Sequence, residues 1–182
     1  QLTGLRNNKY LHDYLDHIVA VPRRRNKAVL LLHVKNLKTV NMTYGFEYGD
    51  ALVKQIADKI RQELKTDDNF FRFDGNQFVV VSDSVEGQEE LRKLAERLIC
   101  IFDEPVAEGT DLQYVDIQIA IVEIQARHTS TDKILQDALL TFPHIEDNAA
   151  HPIVFFDERM EKSLQREDKI MKVLRDVIGG KD

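Results

Sequence analysis

Apolar residues in this chain follow two spacings, one typical of buried strands and one typical of amphipathic helices. Residues 28–34 form an almost unbroken apolar run, which predicts a strand covered on both faces. From Gly49 to Leu64, and again from Leu91 to Phe102, apolar residues recur with helical period. A further strand is predicted at 115–123, a helix at 132–142 and a last strand at 153–156.

Between the first two helices, the dipeptide Asp74-Gly75 separates two aromatic-rich apolar runs, 70–73 and 78–81. This arrangement predicts two antiparallel strands joined by a tight turn. Helices and strands therefore alternate, and the pattern predicts an α+β fold in one domain covering 1–157.

Composition narrows the class of protein. The chain has 182 residues, 43% of them hydrophobic, and a net charge of -6, which argues against a nucleic-acid polymer as partner. No apolar run is long enough to span a bilayer, so we expect no membrane contact by this domain. The single cysteine, Cys100, lies on the apolar stripe of a predicted helix. We expect a buried thiol and a cytoplasmic, reducing location, although a full-length protein could be anchored in a membrane.

Four sequence blocks carry a family resemblance. They are residues 2–7 (LTGLRN), 41–50 (NMTYGFEYGD), 72–78 (RFDGNQF) and 154–157 (VFFD). In this order and spacing the chain resembles the GGDEF domains, the diguanylate cyclases of bacterial signalling. The resemblance implies a nucleotidyl-cyclase-like fold with a ferredoxin-like core, in which helices surround a mixed, mainly antiparallel sheet. It also implies GTP or cyclic di-GMP as ligand and a possible homodimer, since active domains face each other in pairs.

The resemblance places unusual residues where active members hold Mg²⁺. His33 matches the first metal-binding aspartate, and Asn76 and Gln77 match the acidic pair of the hairpin. Asp74 replaces the first hairpin glycine, while Gly75 keeps the second. Amide oxygens are neutral and an imidazole nitrogen is a poor ligand for so hard an ion. We therefore expect no metal, no cofactor and no catalytic residue at these degenerate positions.

Other family positions are altered or retained. The phosphate-binding Lys and Arg match His144 and Asn148. The histidines show no zinc-binding spacing. Asn41 and Asp50 match the residues that read the guanine base, although Asn41 could be a helix-terminus group and Asp50 a helix cap. The product-inhibition motif R-x-x-D is represented by Lys65 and Asp68, either as a weakened site or as an ordinary helix C-terminus.

The segment 158–182 is predicted to be a charged amphipathic helix with apolar residues at 160, 164, 171, 174 and 178. It could pack on its own domain. It also resembles the connector that leads from GGDEF domains to a downstream EAL phosphodiesterase domain, and we expect this second arrangement in a longer protein.

Three functions are consistent with these features. The first is a catalytically inactive regulatory module of cyclic di-GMP signalling that binds GTP weakly. The alternative is an active diguanylate cyclase with atypical metal ligands. A receptor that binds cyclic di-GMP without making it would need a competent inhibition site, which Lys65 weakens.

Overall fold

The computed structural model describes residues 2–21, 25–65, 68–146 and 152–179. A short 3-10 helix, Phe142–His144, follows the fifth α-helix. The helices and strands are, in chain order, α1 (Asn8–Ala20), β1 (Lys27–Val34), α2 (Leu37–Tyr44), α3 (Phe46–Glu63), β2 (Asp68–Asp74), β3 (Gln77–Ser82), α4 (Gln88–Cys100), β4 (Val106–Glu108), β5 (Asp111–Gln113), β6 (Ile117–Ile124), α5 (Thr131–Thr141), β7 (Ile153–Phe155) and α6 (Glu158–Gly179).

The main sheet has five strands in the order β2-β3-β1-β6-β7. All neighbours are antiparallel except β6 and β7, which are parallel. The central strand β1 pairs His33 with Gln77 on one side and with Gln118 on the other. This register brings the end of β1 beside the turn of the β2–β3 hairpin. The predicted mixed, mainly antiparallel α+β architecture is confirmed.

Two apolar layers cover the faces of this sheet. Leu30 and Leu32 face one layer, which contains residues of α3 and α4, while Val29 and Leu31 face the other, which contains residues of α1 and α5. Successive strand residues point to opposite faces. The unbroken apolar run in β1 is therefore explained by helices on both sides of the sheet.

Two sequence predictions are wrong in detail. Helix α3 begins at Phe46 rather than at Gly49, so Asp50 lies inside the helix. Cys100, the last residue of α4, is exposed rather than buried. It lies off the buried positions of α4, the last of which is Leu98.

Helix α6 contacts the domain through its first turn. Glu161 Oε1 accepts a hydrogen bond from Lys133 Nζ at 2.6 Å, and Glu158 lies 3.4 Å from Arg127 Nε. Farther along, the apolar side chains are exposed, Leu174 among them. The connector role of α6 stays a prediction. In the part of the chain that the structure describes, no helix combines the length and apolar character needed to cross a bilayer.

Candidate functional site: a cleft beside the hairpin

A cleft of about 610 Å³ opens between α2, α3 and the β2–β3 hairpin. Its floor is apolar, whereas its polar groups come from three different elements. The lining residues are Leu37, Lys38, Asn41, Met42, Phe46, Gly49, Asp50, Val53, Arg72, Gly75 and Asn76. Both residues predicted to read a guanine base therefore line one cleft, together with one of the altered metal positions.

A close approach of two helices sets the position of Asn41. Its Oδ1 is buried against Gly49 and has no hydrogen-bond partner among the described residues. A Cβ atom at Gly49 would overlap this oxygen, so the Asn41 side chain can take this position only because residue 49 is glycine. Asn41 is part of the cleft lining, and its amide also carries the Nδ2 donor.

The side chains of Asn41 and Asp50 do not cap the ends of α2 or α3. Asp50 is not a cap, because α3 starts four residues earlier with Gly45 at the cap position. The backbone carbonyl of Asn41 does end α2, accepting a hydrogen bond from Gly45 N at 3.0 Å. That bond uses no side-chain atom. Capping therefore accounts for neither side chain, and both remain available to a ligand.

The two altered metal positions contact each other directly. Asn76 Nδ2 lies 3.0 Å from His33 Nε2 and also donates to Val34 O at 3.1 Å. The Asn76 carbonyl accepts a hydrogen bond from Val34 N at 2.9 Å. An amide donor can bond to Nε2 only when that nitrogen carries no proton. This arrangement therefore favours neutral His33.

The surroundings of His33 favour the same protonation state. Burial lowers its pKa below the ordinary 6.5, and a hydrogen bond with Gln118 opposes this effect. Among nearby charges, Lys35 lowers the pKa and Asp116 raises it. The imidazole ring also packs against Phe142, with ring centroids 5.4 Å apart. His33 is thus held between the cleft and the end of α5.

The donor set at this end of the cleft does not fit Mg²⁺. The ion requires near-octahedral oxygen coordination, usually with one or two carboxylates. Here the facing groups are an imidazole nitrogen and an amide that donates rather than accepts. Across the described ranges, no group of three or more His, Cys, Asp or Glu side chains could hold a metal ion.

Asp74 and Arg72 both contact Gly75 in the turn of the hairpin. Asp74 lines a separate hollow that includes Thr3 and Asn7, rather than the cleft. Its Oδ1 accepts a hydrogen bond from Gly75 N at 2.7 Å. Arg72 donates from Nη2 to Gly75 O at 3.0 Å, which ties the hairpin turn together.

The inhibition-site remnant is occupied by internal contacts. Lys65 N donates to Asp68 Oδ2 at 3.1 Å, and Lys65 Nζ forms an ion pair with Glu90 Oε1 at 3.2 Å. His144 is exposed in the 3-10 helix, outside the lining of the cleft. Asn148 falls outside the described residues.

Several lining residues were not anticipated from the sequence, among them two large apolar side chains. Met42 and Phe46 are 79% and 78% exposed although both are large and apolar. They belong to the 41–50 block, but only the α2–α3 packing shows that both line the cleft. Lys38, which also lines the cleft, lies in the first turn of α2.

The sheet order and the cleft beside its hairpin define an α+β domain of the nucleotidyl-cyclase type. Residues 1–141 match the family model described as diguanylate cyclase, GGDEF domain. The chain therefore belongs to the GGDEF family.

Relatives and solved structures agree with this assignment. The chain is 28% identical over 181 residues to protein y4lL of Sinorhizobium fredii, covering 96% of the chain and 21% of that protein. It is 25% identical over 179 residues to the bifunctional diguanylate cyclase/cyclic di-GMP phosphodiesterase MucR of Pseudomonas aeruginosa, covering 97% and 26%. The GGDEF domain of Pseudomonas aeruginosa TpbB (YfiN) superposes with a TM-score of 0.82 at 21% identity, covering 91% of this chain and 98% of that one. The chain thus spans about a quarter of the length of these curated relatives.

Proposed function

We propose that this GGDEF domain is a catalytically inactive regulatory module of cyclic di-GMP signalling, and that it binds guanine nucleotides weakly in the cleft. The observation that carries the proposal is the direct His33–Asn76 contact at 3.0 Å, at the two positions which the family resemblance assigns to metal ligands. The hydrogen bond between Asn76 and His33 thus takes the place of a metal ion.

Magnitudes support the loss of turnover. Phosphoryl transfer depends mostly on positioning and on neutralising the charge of the phosphates. Each group that stabilises this charge contributes roughly 3–4 kcal/mol to lowering the barrier, and every ~1.4 kcal/mol changes the rate tenfold. Replacing both metal carboxylates with neutral groups therefore predicts a rate too low to detect.

Base recognition is proposed for Asn41 and Asp50 in the cleft lining. Asp50 offers acceptors and Asn41 a donor. Guanine presents N–H donors at N1 and N2 beside the O6 acceptor, which suits this pair. Adenine would turn an acceptor, N1, toward the carboxylate. The pair therefore favours guanine over adenine.

The activity test is an incubation with GTP and either Mg²⁺ or Mn²⁺, followed by chromatography for cyclic di-GMP. We expect no product above a control without protein. Product formation would establish the alternative, an active diguanylate cyclase with atypical ligands. Calorimetric titration with GTP, with and without EDTA, tests the binding half. We expect weak binding that EDTA does not abolish and that Asn41→Ala with Asp50→Ala removes.

The regulatory role is proposed from relatives and from α6. MucR is a bifunctional diguanylate cyclase/cyclic di-GMP phosphodiesterase, and this chain spans 26% of its length. We propose that α6 transmits the state of this domain to a downstream EAL domain. Comparing phosphodiesterase activity of the full-length protein with and without GTP tests this link. Equal activity in both conditions, under saturating GTP, would contradict it.

A further inference from the structure

We propose that helix α6 is attached to the domain by a releasable ionic joint, formed by Arg127 and Lys133 of the domain with Glu158 and Glu161 of the helix. The joint holds α6 in one direction, and the loss of its charges lets α6 swing as an intact arm. This inference goes beyond the proposed function, because it concerns how the helix is held and depends on neither guanine binding nor catalysis.

The first support is how little of α6 is covered by the domain. Every side chain from 162 to 175 is exposed, whereas Met160 and Glu161 in the first turn are partly buried. A helix in a folded protein is normally fixed by burying an apolar face. Since α6 buries so little, the ion pairs of Glu158 and Glu161 carry most of its attachment.

The second support is the charge arrangement on the domain side. Buried Asp137 pairs with Arg127 Nη2 at 2.5 Å and with Lys133 Nζ at 3.2 Å, so two cations gather around one carboxylate. The same two cations reach α6, where Lys133 Nζ lies 2.6 Å from Glu161 Oε1 and Arg127 Nε lies 3.4 Å from Glu158 Oε1. The two glutamates therefore balance a positive charge that the domain alone leaves in excess.

The third support is loose packing beneath the first turn. A hollow of about 170 Å³ lies between the start of α4, the end of β6 and the start of α6. In the part of the chain that the structure describes, buried Arg127 Nε makes no hydrogen bond, so its contact with Glu158 is an ion pair only. Glu158 is 60% exposed, and salt screens such a charge. An attachment of this kind can open without disturbing the core.

The fourth support is that α6 has stabilising contacts of its own. Asp157 Oδ1 accepts a hydrogen bond from Arg159 N at 2.9 Å at the start of the helix, and Lys172 pairs with Asp168 at 2.8 Å farther along. Neither contact uses a residue of the domain, so the helix persists when the joint opens. Phe156 N donates to Ile121 O at 2.7 Å and stays on the sheet, which places the hinge directly after it.

Distances between two spin labels, measured by pulsed electron paramagnetic resonance, test the joint in this chain. One label is attached to Cys100, the single cysteine, which is exposed, and the other to Lys169→Cys on exposed α6. At low salt we expect one narrow distance distribution. Glu158→Gln with Glu161→Gln should replace it with a broad one, whereas Glu167→Gln, the matched control on the exposed part of α6, should leave it narrow.

Salt and circular dichroism complete the test. High salt should broaden the distribution of the unmodified joint and add little in the double variant, because the screened charges are then already gone. The helical circular dichroism signal should stay unchanged in the double variant, and its loss would overturn the intact arm. A narrow distribution retained in the double variant would overturn the joint, since contacts such as that of Met160 would then hold α6. A broad distribution in the unmodified chain at low salt would overturn it as well.

Discussion

Asp137→Asn removes the charge of a fully buried carboxylate, and we expect it to destabilise the fold strongly. The Asp137 side chain is 0% exposed and accepts hydrogen bonds at Oδ2 from Arg127 Nη2 at 2.5 Å and from His128 Nε2 at 3.0 Å. Lys133 Nζ forms an ion pair with Oδ1 at 3.2 Å. Arg127 and Lys133 also reach the first turn of α6, so one buried carboxylate organises the contact between α5 and the last helix.

The magnitude follows from burial and from what the amide leaves behind. Removing one partner of a buried ion pair costs about 3–5 kcal/mol. Asparagine keeps one acceptor, and the two cations are 25% exposed and can recover some hydration. We therefore expect a loss near the lower limit, about 3 kcal/mol. With a urea m-value of about 2 kcal/mol/M, the unfolding midpoint should fall by about 1.5 M.

Urea denaturation followed by circular dichroism measures this change. The matched control is Asp58→Asn, because Asp58 pairs with Arg61 at 2.7 Å while both side chains are 46% exposed. Such surface pairs contribute about 0–1 kcal/mol. A midpoint shift for Asp137→Asn no larger than that of the control, at unchanged m, would refute the reasoning.

Three further predictions concern other parts of the fold. Below the ordinary pKa of 6.5 the unfolded state binds more protons than buried His33, so stability should fall as pH decreases from about 7 to 5, and His33→Asn should reduce this slope in urea titrations. Gly49→Ala should weaken guanine-nucleotide binding in calorimetric titration, because the added Cβ displaces the Asn41 side chain. Leu174→Gln on exposed α6 should change the unfolding free energy by less than about 0.5 kcal/mol, whereas buried Leu91→Ala should cost about 2–5 kcal/mol; comparable losses in urea titration would show that α6 is covered.

Unbroken apolar runs and helical spacing of apolar residues explain which strands and helices could be predicted from the sequence. The run at 28–34 became β1 (Lys27–Val34), and the run at 115–123 became β6 (Ile117–Ile124). Both strands are covered on two faces, so nearly every position had to be apolar. Helix α5 was similarly placed, at Thr131–Thr141 against a predicted 132–142. Burial thus left a clear pattern in these segments.

Tertiary contacts decided what the sequence could not show. Gly49-Asp50 predicts a helix start, but α3 begins at Phe46, directly after Gly45, and Gly49 lies against Asn41 of α2. A register shift between Arg72 and Asp74 separates these two residues, so that only Arg72 lines the cleft. Phe46, the first residue of α3, lines the cleft between these two helices. Each of these features requires two elements to meet in space.

The His33–Asn76 contact bears on how the proposed inactivity could be reversed. Asn76 Nδ2 lies within hydrogen-bond distance of both His33 Nε2 and Val34 O, so the two altered side chains are joined by a hydrogen bond. His33→Asp alone would supply one carboxylate, but the neighbouring amide would bond to it, and the second ligand would still be missing. Asn76→Asp alone would place a carboxylate against the carbonyl of Val34. Groups that act as a unit are not additive, so we expect cyclase activity to require His33→Asp and Asn76→Asp together with Asp74→Gly and Gln77→Glu.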